Sequence, residues 1–245
     1  MGPLSYRLFQ ASLRAQNRQA LLGRIWLFLP AVAAALAASY VQDRGILNVH
    51  SLGLPYPVFV FVGTVLWQTF IEALNTPLNQ LSANRTLITR MHCSHEGLIL
   101  AGWWTALMNA AIRLVALFIL CWLTHVPLAL TILLLPLGIL TLAIMGLAAG
   151  MLIAPLGLLY DDIRRAVTIL TGMLIFIMPI AYPIAATGWQ RFNPLLAIIN
   201  TTRGCLIGPA PLTGFLAWLA VATFVLLSAW LFYRISRPHV VARLG

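Results

Sequence analysis

Six stretches of this chain stay apolar for about as long as a helix needs to cross a lipid bilayer, and that pattern leaves few folds open. Hydrocarbon roughly 30 Å thick requires ~20 residues at a rise of ~1.5 Å each. The stretches run from Arg24 to Val41, Pro57 to Leu78, Leu98 to Thr124, Leu130 to Leu156, Ala166 to Ala186 and Leu212 to Arg234, each bounded by Arg, Gly, Pro, Asn or Asp. Inside hydrocarbon the backbone must satisfy its own hydrogen bonds, so helix is expected despite many β-branched residues. A composition of 61% hydrophobic and 8% charged residues could not be buried around one soluble core. The expected fold is an all-α membrane protein of six transmembrane helices, forming one domain over residues 1–245.

All fifteen basic residues are Arg, against five acids, a formal charge of +10. With the N-terminus inside, Arg7, Arg14, Arg18, Arg24, Arg85, Arg90, Arg164, Arg165, Arg234, Arg237 and Arg243 are cytoplasmic, while Arg44, Arg191 and Arg203 are outside. Eleven against three is a clear positive-inside bias, from which both termini are expected in the cytoplasm. Over residues 1–22, Arg7, Arg14 and Arg18 share one helical stripe, with Tyr6, Phe9, Leu13 and Ala20 roughly opposite. That is the pattern of an amphipathic helix lying in the membrane interface.

The same residues argue against several functions. Absence of Lys excludes a P-loop or Schiff-base lysine, so the chain is not expected to be a conventional Walker-type ATPase by itself. No basic face is interleaved with aromatics, so no nucleic-acid partner is expected. Cys93, Cys121 and Cys205 are too scattered for a disulfide framework or zinc site. The cluster His92-Cys93-Ser94-His95-Glu96 bunches potential ligands that point in different directions on a helix, so no metal is expected. An intramembrane enzyme needs catalytic groups converging at one depth, and none are found. A secondary transporter is disfavoured by the lack of a chain of intramembrane acids and of an inverted repeat.

Two charges do lie within the spans. Arg113 sits well inside the third, where an ion costs at least ~2.5 kcal/mol, so it is expected to face the protein interior or an aqueous path. Glu72 lies ~9 Å from the cytoplasmic end of the second span and Arg113 ~22 Å from the same side, so direct pairing is not expected. Trp26, Trp122, Trp189 and Trp230 fall near span ends as interfacial anchors, whereas Trp67 and Phe70 lie deeper, on a common face, and either line a path or pack. Residues 187–211 are rich in Pro and Gly yet apolar, with Trp189, Phe192, Leu195, Leu196, Ile198 and Ile199.

Between the fourth and fifth spans the chain reads Leu158-Leu159-Tyr160-Asp161-Asp162-Ile163-Arg164-Arg165, a charged hairpin that packing does not demand. Further on come Pro179-Ile180-Ala181-Tyr182-Pro183, then Asn193-Pro194-Leu195, then Thr202-Arg203-Gly204. Upstream, Trp67, Phe70 and Glu72 precede Asn84, Leu87, Ile88 and Arg90. This order, over nearly the whole chain, resembles the permeases of type-2 ABC exporters that move O-antigen, teichoic acid or capsular polysaccharide. The chain departs from that pattern at Asp161-Asp162, where Arg-Asp is usual, and at Met91-His92-Cys93, where Phe-Pro is usual.

The resemblance implies a homodimeric permease joined to two copies of an ABC ATPase, which would hold the ATP and Mg, this chain carrying no cofactor. It implies that loops 82–97 and 157–165 form short coupling helices, with Asn84, Arg85, Arg90, Glu96, Tyr160, Asp161, Asp162, Arg164 and Arg165 meeting the ATPase. Alternatively, the acids of the second loop favour a helix N-terminus and its arginines hold the loop inside. It further implies a path for lipid-linked polysaccharide with Trp67, Phe70, Arg113, Phe176 and Tyr182 as candidate lining. Residues 187–211 become a re-entrant helical hairpin between spans five and six, closing the exit, with Pro183, Trp189, Asn193, Pro194 and Arg203 as candidate gate residues. Arg203 either anchors this hairpin or meets a phosphate. An ABC exporter for drugs or small lipids would use the same architecture.

Overall fold

The computed structural model describes residues 27–44, 53–84, 95–126, 129–178, 180, 193–208 and 212–244, and each regular element among them is helical. In chain order these are α1 (Leu29–Asp43), α2 (Tyr56–Ala83), α3 (His95–Leu123), a 3-10 turn (Leu130–Leu134) running into α4 (Leu135–Leu159), α5 (Asp161–Ile177), α6 (Pro194–Ile207) and α7 (Leu212–Leu244). The expected interfacial helix over residues 1–22 lies outside the described residues, as do Arg85, Arg90, Tyr182, Pro183 and Trp189.

Among the described residues, four segments are long and apolar enough to cross a membrane: Tyr56–Ala83, His95–Leu123, Leu130–Leu159 and Leu212–Val240. At 15 and 17 residues, α1 and α5 fall short of the ~20 that hydrocarbon requires, so four of the six expected crossings are matched among the described residues. The helices also overrun the predicted spans. α2 continues five residues past Leu78, and α5 starts five residues before Ala166, directly after the extended residue Tyr160. The separate short helix expected within 157–165 is therefore replaced by a one-residue break between two long helices. The cause is local: Asp161 and Asp162 occupy the first turn of α5, where the helix dipole favours acids, and extend that helix back to Tyr160.

α2 is the hub of the bundle, with 78% of its crossing window buried against 17% for α7. It meets α4 through Gly146 and Gly150, a small-xxx-small pair at which the two backbones approach directly. A Cβ on Gly146 would fall 2.4 Å from the Phe70 carbonyl oxygen, and one on Gly150 only 2.2 Å from that of Leu74. α1 covers another side of α2 with Ala31, Ala35 and Ala38. α7 packs on α4 through Ala229 and Tyr233, while Phe224, Leu227, Leu231 and Ile235 stay exposed, as suits a helix bordered by lipid.

α2 and α3 run antiparallel, because Gly102 of α3 touches Thr76 and Gln80 of α2 while Asn109 and Arg113 reach back to Glu72. One end of the bundle thus gathers Leu81, Leu98, Leu158, Tyr233 and Val240 beside the start of α5. α6 belongs to the other end, where the Thr131 hydroxyl donates to the carbonyls of Cys205 (2.8 Å) and Gly208 (3.0 Å).

Candidate functional site

Polar side chains on α2 recur at Gln68, Glu72, Asn75 and Asn79, steps of four, three and four residues that align them on one face. Such a row is costly against lipid, and polar groups in a span usually face protein or water. α3 and α5 flank it and enclose a cavity of about 400 Å³ whose walls include Glu72, Asn75, Asn79, Gln80, Thr105 and Thr168. A second cavity of about 350 Å³, lined by Asn79, Arg164, Arg165, Thr168 and Ile169, shares Asn79 and Thr168 with the first. The two form one groove that leads from the arginines of α5 down the polar face of α2.

At its deep end the groove meets a charged network. Arg113 Nη1 lies 2.8 Å from Glu72 Oε2, and the Asn109 amide donates to Glu72 Oε1. Arg113 Nε also donates to the Leu27 carbonyl at 3.4 Å. This corrects the expectation that Glu72 and Arg113 lie too far apart. Main-chain rise alone overstates their axial separation, because a helical side chain leans toward the N-terminus of its own helix. In an antiparallel pair, Glu72 therefore leans up toward Arg113 while Arg113 leans down toward Glu72. The longer α2 adds to the effect, because Glu72 is farther from its helix end than the predicted span allowed.

Part of the groove's hydrogen-bonding capacity is already used. Asn75 Nδ2 donates to the Ile71 carbonyl (2.9 Å), Thr76 Oγ1 to Glu72 (2.8 Å) and Thr168 Oγ1 to Arg164 (3.0 Å). Among the described residues Arg164 and Arg165 form no ion pair, with Asp161 and Asp162 or otherwise, and Arg164 Nε is buried without a partner. The acids and arginines of the charged turn thus separate: Tyr160, just before α5, and Asp161 and Asp162, its first two residues, are exposed, while the arginines line the groove. Asn84 closes α2, its Nδ2 donating to Gln80, and Glu96 sits in the first turn of α3. Neighbouring His95 places Nδ1 3.0 Å from the Tyr233 hydroxyl of α7.

The aromatic candidates for a path lining lie elsewhere. Trp67 and Phe70 stack on each other with centroids 5.5 Å apart and are 1% and 6% exposed, buried with Leu74, Leu78, Val167, Met178 and Ile180. Phe176 falls within α5, its side chain outside what is described. Of the gate candidates, Asn193 caps α6 by accepting from the backbone N–H of Leu195 (3.0 Å) and Leu196 (3.4 Å), and Pro194 occupies the first turn. Arg203, 4% exposed, donates to the Ile180 carbonyl at 2.5 Å and lies 3.9 Å above the Phe59 ring. Its guanidinium fills the space that a side chain at Gly63 would need, since a Cβ there would sit 1.8 Å from Nη2. The structure thus locks α6 to α2 through this arginine.

The residues that sequence reasoning missed are Asn75, Asn79, Gln80, Asn109, Thr105 and Thr168. For Asn75 and Asn79 the signal is the period of the polar positions in the second span; Gln80, Thr105, Asn109 and Thr168 carry no such signal, because packing of separate helices brings them to the site.

No protein-family model matches the chain. Over 203 residues, covering 79% of this chain and 73% of the relative, it is 25% identical to the O-antigen export system permease protein RfbA of Myxococcus xanthus. By that likeness the chain is a distant relative of a bacterial O-antigen export permease, in line with its resemblance to the permeases of type-2 ABC exporters.

Proposed function

We propose that this chain is the membrane-spanning permease subunit of an ABC transporter that exports a lipid-linked surface polysaccharide across the bacterial inner membrane. The likeness to an O-antigen export permease over 79% of the chain carries the reading. The permease works as a homodimer with two copies of a separate ATPase, and performs no chemistry of its own. Its α1 and α5, with the apolar residues that flank them in sequence, complete six crossings. α6 supports the re-entrant reading: 14 residues rise only ~21 Å, too short to cross, and Arg203 and Thr131 fasten it within the bundle.

In this reading the break at Tyr160 is the point where nucleotide-driven motion enters. Asp161 and Asp162 stand exposed at the head of a rigid 17-residue helix, so a push on that turn is transmitted along α5. The test is co-expression of the full chain with candidate ABC ATPase subunits from the same genome. Expected is a stable complex whose ATP hydrolysis falls severalfold on D161K/D162K, and export of surface glycan that stops when the ATPase's catalytic Glu is changed to Gln. A chain that binds no ATPase, or export that persists with the inactive ATPase, overturns the reading.

A further inference from the structure

We propose that the groove between α2, α3 and α5 binds the phosphate-bearing saccharide headgroup of the transported molecule, with Arg164 and Arg165 receiving the phosphate and the α2 amides receiving sugar hydroxyls. This rests on the permease reading and adds to it a site and a chemistry. The inference starts from charge. Glu72 is the acid among the wall residues of the deep cavity, and both of its oxygens are engaged, one by Arg113 and one by Asn109. Nothing anionic is left on that wall to repel a phosphate. At the mouth, Arg164 and Arg165 have no ion-pair partner among the described residues, although Asp161 and Asp162 lie within one turn on the same helix. Guanidinium forks suit phosphate oxygens, and the buried, unpartnered Nε of Arg164 is the kind of donor an anion would satisfy.

The deep part has the chemistry of a sugar site. Its amides and hydroxyls are neutral, can both donate and accept, and are spaced along two helical turns from Asn79 to Glu72. Among the described residues the side chains of Asn79 and Gln80 make no hydrogen bond, and Asn75 keeps its carbonyl oxygen free. A cavity of about 400 Å³ is within the range of ligand sites. Trp67 and Phe70, which aromatic stacking on sugars would have nominated, are buried away from it.

The test uses the purified full chain in phosphatidylcholine nanodiscs. Three probes are titrated: a short-chain polyprenyl diphosphate carrying a disaccharide, the same lipid diphosphate without sugar, and inorganic pyrophosphate. ATPase co-purification is scored on the same samples. R164Q/R165Q is expected to raise the Kd of both lipid probes at least tenfold, about 1.4 kcal/mol, while R164K/R165K retains binding and so reports an intact fold. N75L/N79L is expected to weaken the saccharide probe and leave the sugar-free one unchanged. Pyrophosphate binding as tightly as the lipid probes, and losing that affinity in R164Q/R165Q, supports the site with a soluble phosphate compound as its source. Unchanged affinity in R164Q/R165Q, or no binding of any probe by a chain that still holds its ATPase, overturns the site and leaves the permease reading standing. A chain that holds no ATPase sinks the permease reading itself.

Discussion

Arg113 is 6% exposed in the middle of a crossing helix, and its only acidic neighbour within ion-pair distance among the described residues is Glu72. Removing one member of a buried pair leaves an uncompensated charge, at a cost of about 3–5 kcal/mol, lowered here because the Glu72 side chain is 26% exposed. E72Q and R113Q are each expected to lower the midpoint of thermal unfolding, followed by size-exclusion chromatography of heated, detergent-solubilised protein. The double variant E72Q/R113Q should lose less than the sum of the two, since neither partner is then left charged and alone. Strictly additive losses would show that the two do not act as a pair. Both residues stand out in the sequence as charges within apolar spans, but their meeting does not. It depends on the opposed lean of side chains across an antiparallel contact, which spacing along one helix cannot reveal. Arg203 is a similar case, because Gly63, which makes room for it, lies 140 positions away.

Helix contacts in this bundle divide its glycines into two kinds. Gly146 and Gly150 of α4 bring its backbone against the carbonyls of Phe70 and Leu74, so G150V must separate two helices that together form the centre of the molecule. Neither atom in the way is a side-chain tip that could swing aside. Gly172 of α5, by contrast, has nothing within 4 Å of where a Cβ would go. In a helix interior, Gly→Ala is favourable by roughly 0.5–1 kcal/mol when space allows. G172A should therefore leave the melting midpoint unchanged or raise it, while G150V should yield little monodisperse protein. Equal effects from the two would refute the α2–α4 packing. At this scale apolar length identified α2, α3, α4 and α7, because hydrocarbon thickness sets a length that composition must meet. It was less informative about ends: polar residues such as Asn79 and Gln80 continue α2 beyond its apolar stretch, and the acids Asp161 and Asp162 start a helix where charge alone reads as loop.

The whole molecule is polarised from end to end. Arg164, Arg165, Arg234, Arg237 and Arg243 cluster at the end where α5 begins and α7 finishes, whereas Arg44 and Arg203 belong to the other. This asymmetry was legible from the order of spans, since every second connection carries the arginines. The polar groove was not, because its walls come from three helices and only the α2 row shows a period. The same asymmetry yields the prediction that the Asp161 end faces the cytoplasm, where basic residues are retained during insertion. Two exposed positions report on opposite ends: Tyr160, 56% exposed at the break before α5, and Leu130, 88% exposed at the turn before α4. Cys121 and Cys205 are both buried, so with Cys93 changed to Ser a single introduced thiol dominates labelling. A membrane-impermeant maleimide added to spheroplasts should modify L130C at once and Y160C only after the membrane is permeabilised. Labelling of Y160C in intact spheroplasts would invert the molecule, place the arginines of the groove outside, and remove the charged turn from reach of any cytoplasmic ATPase.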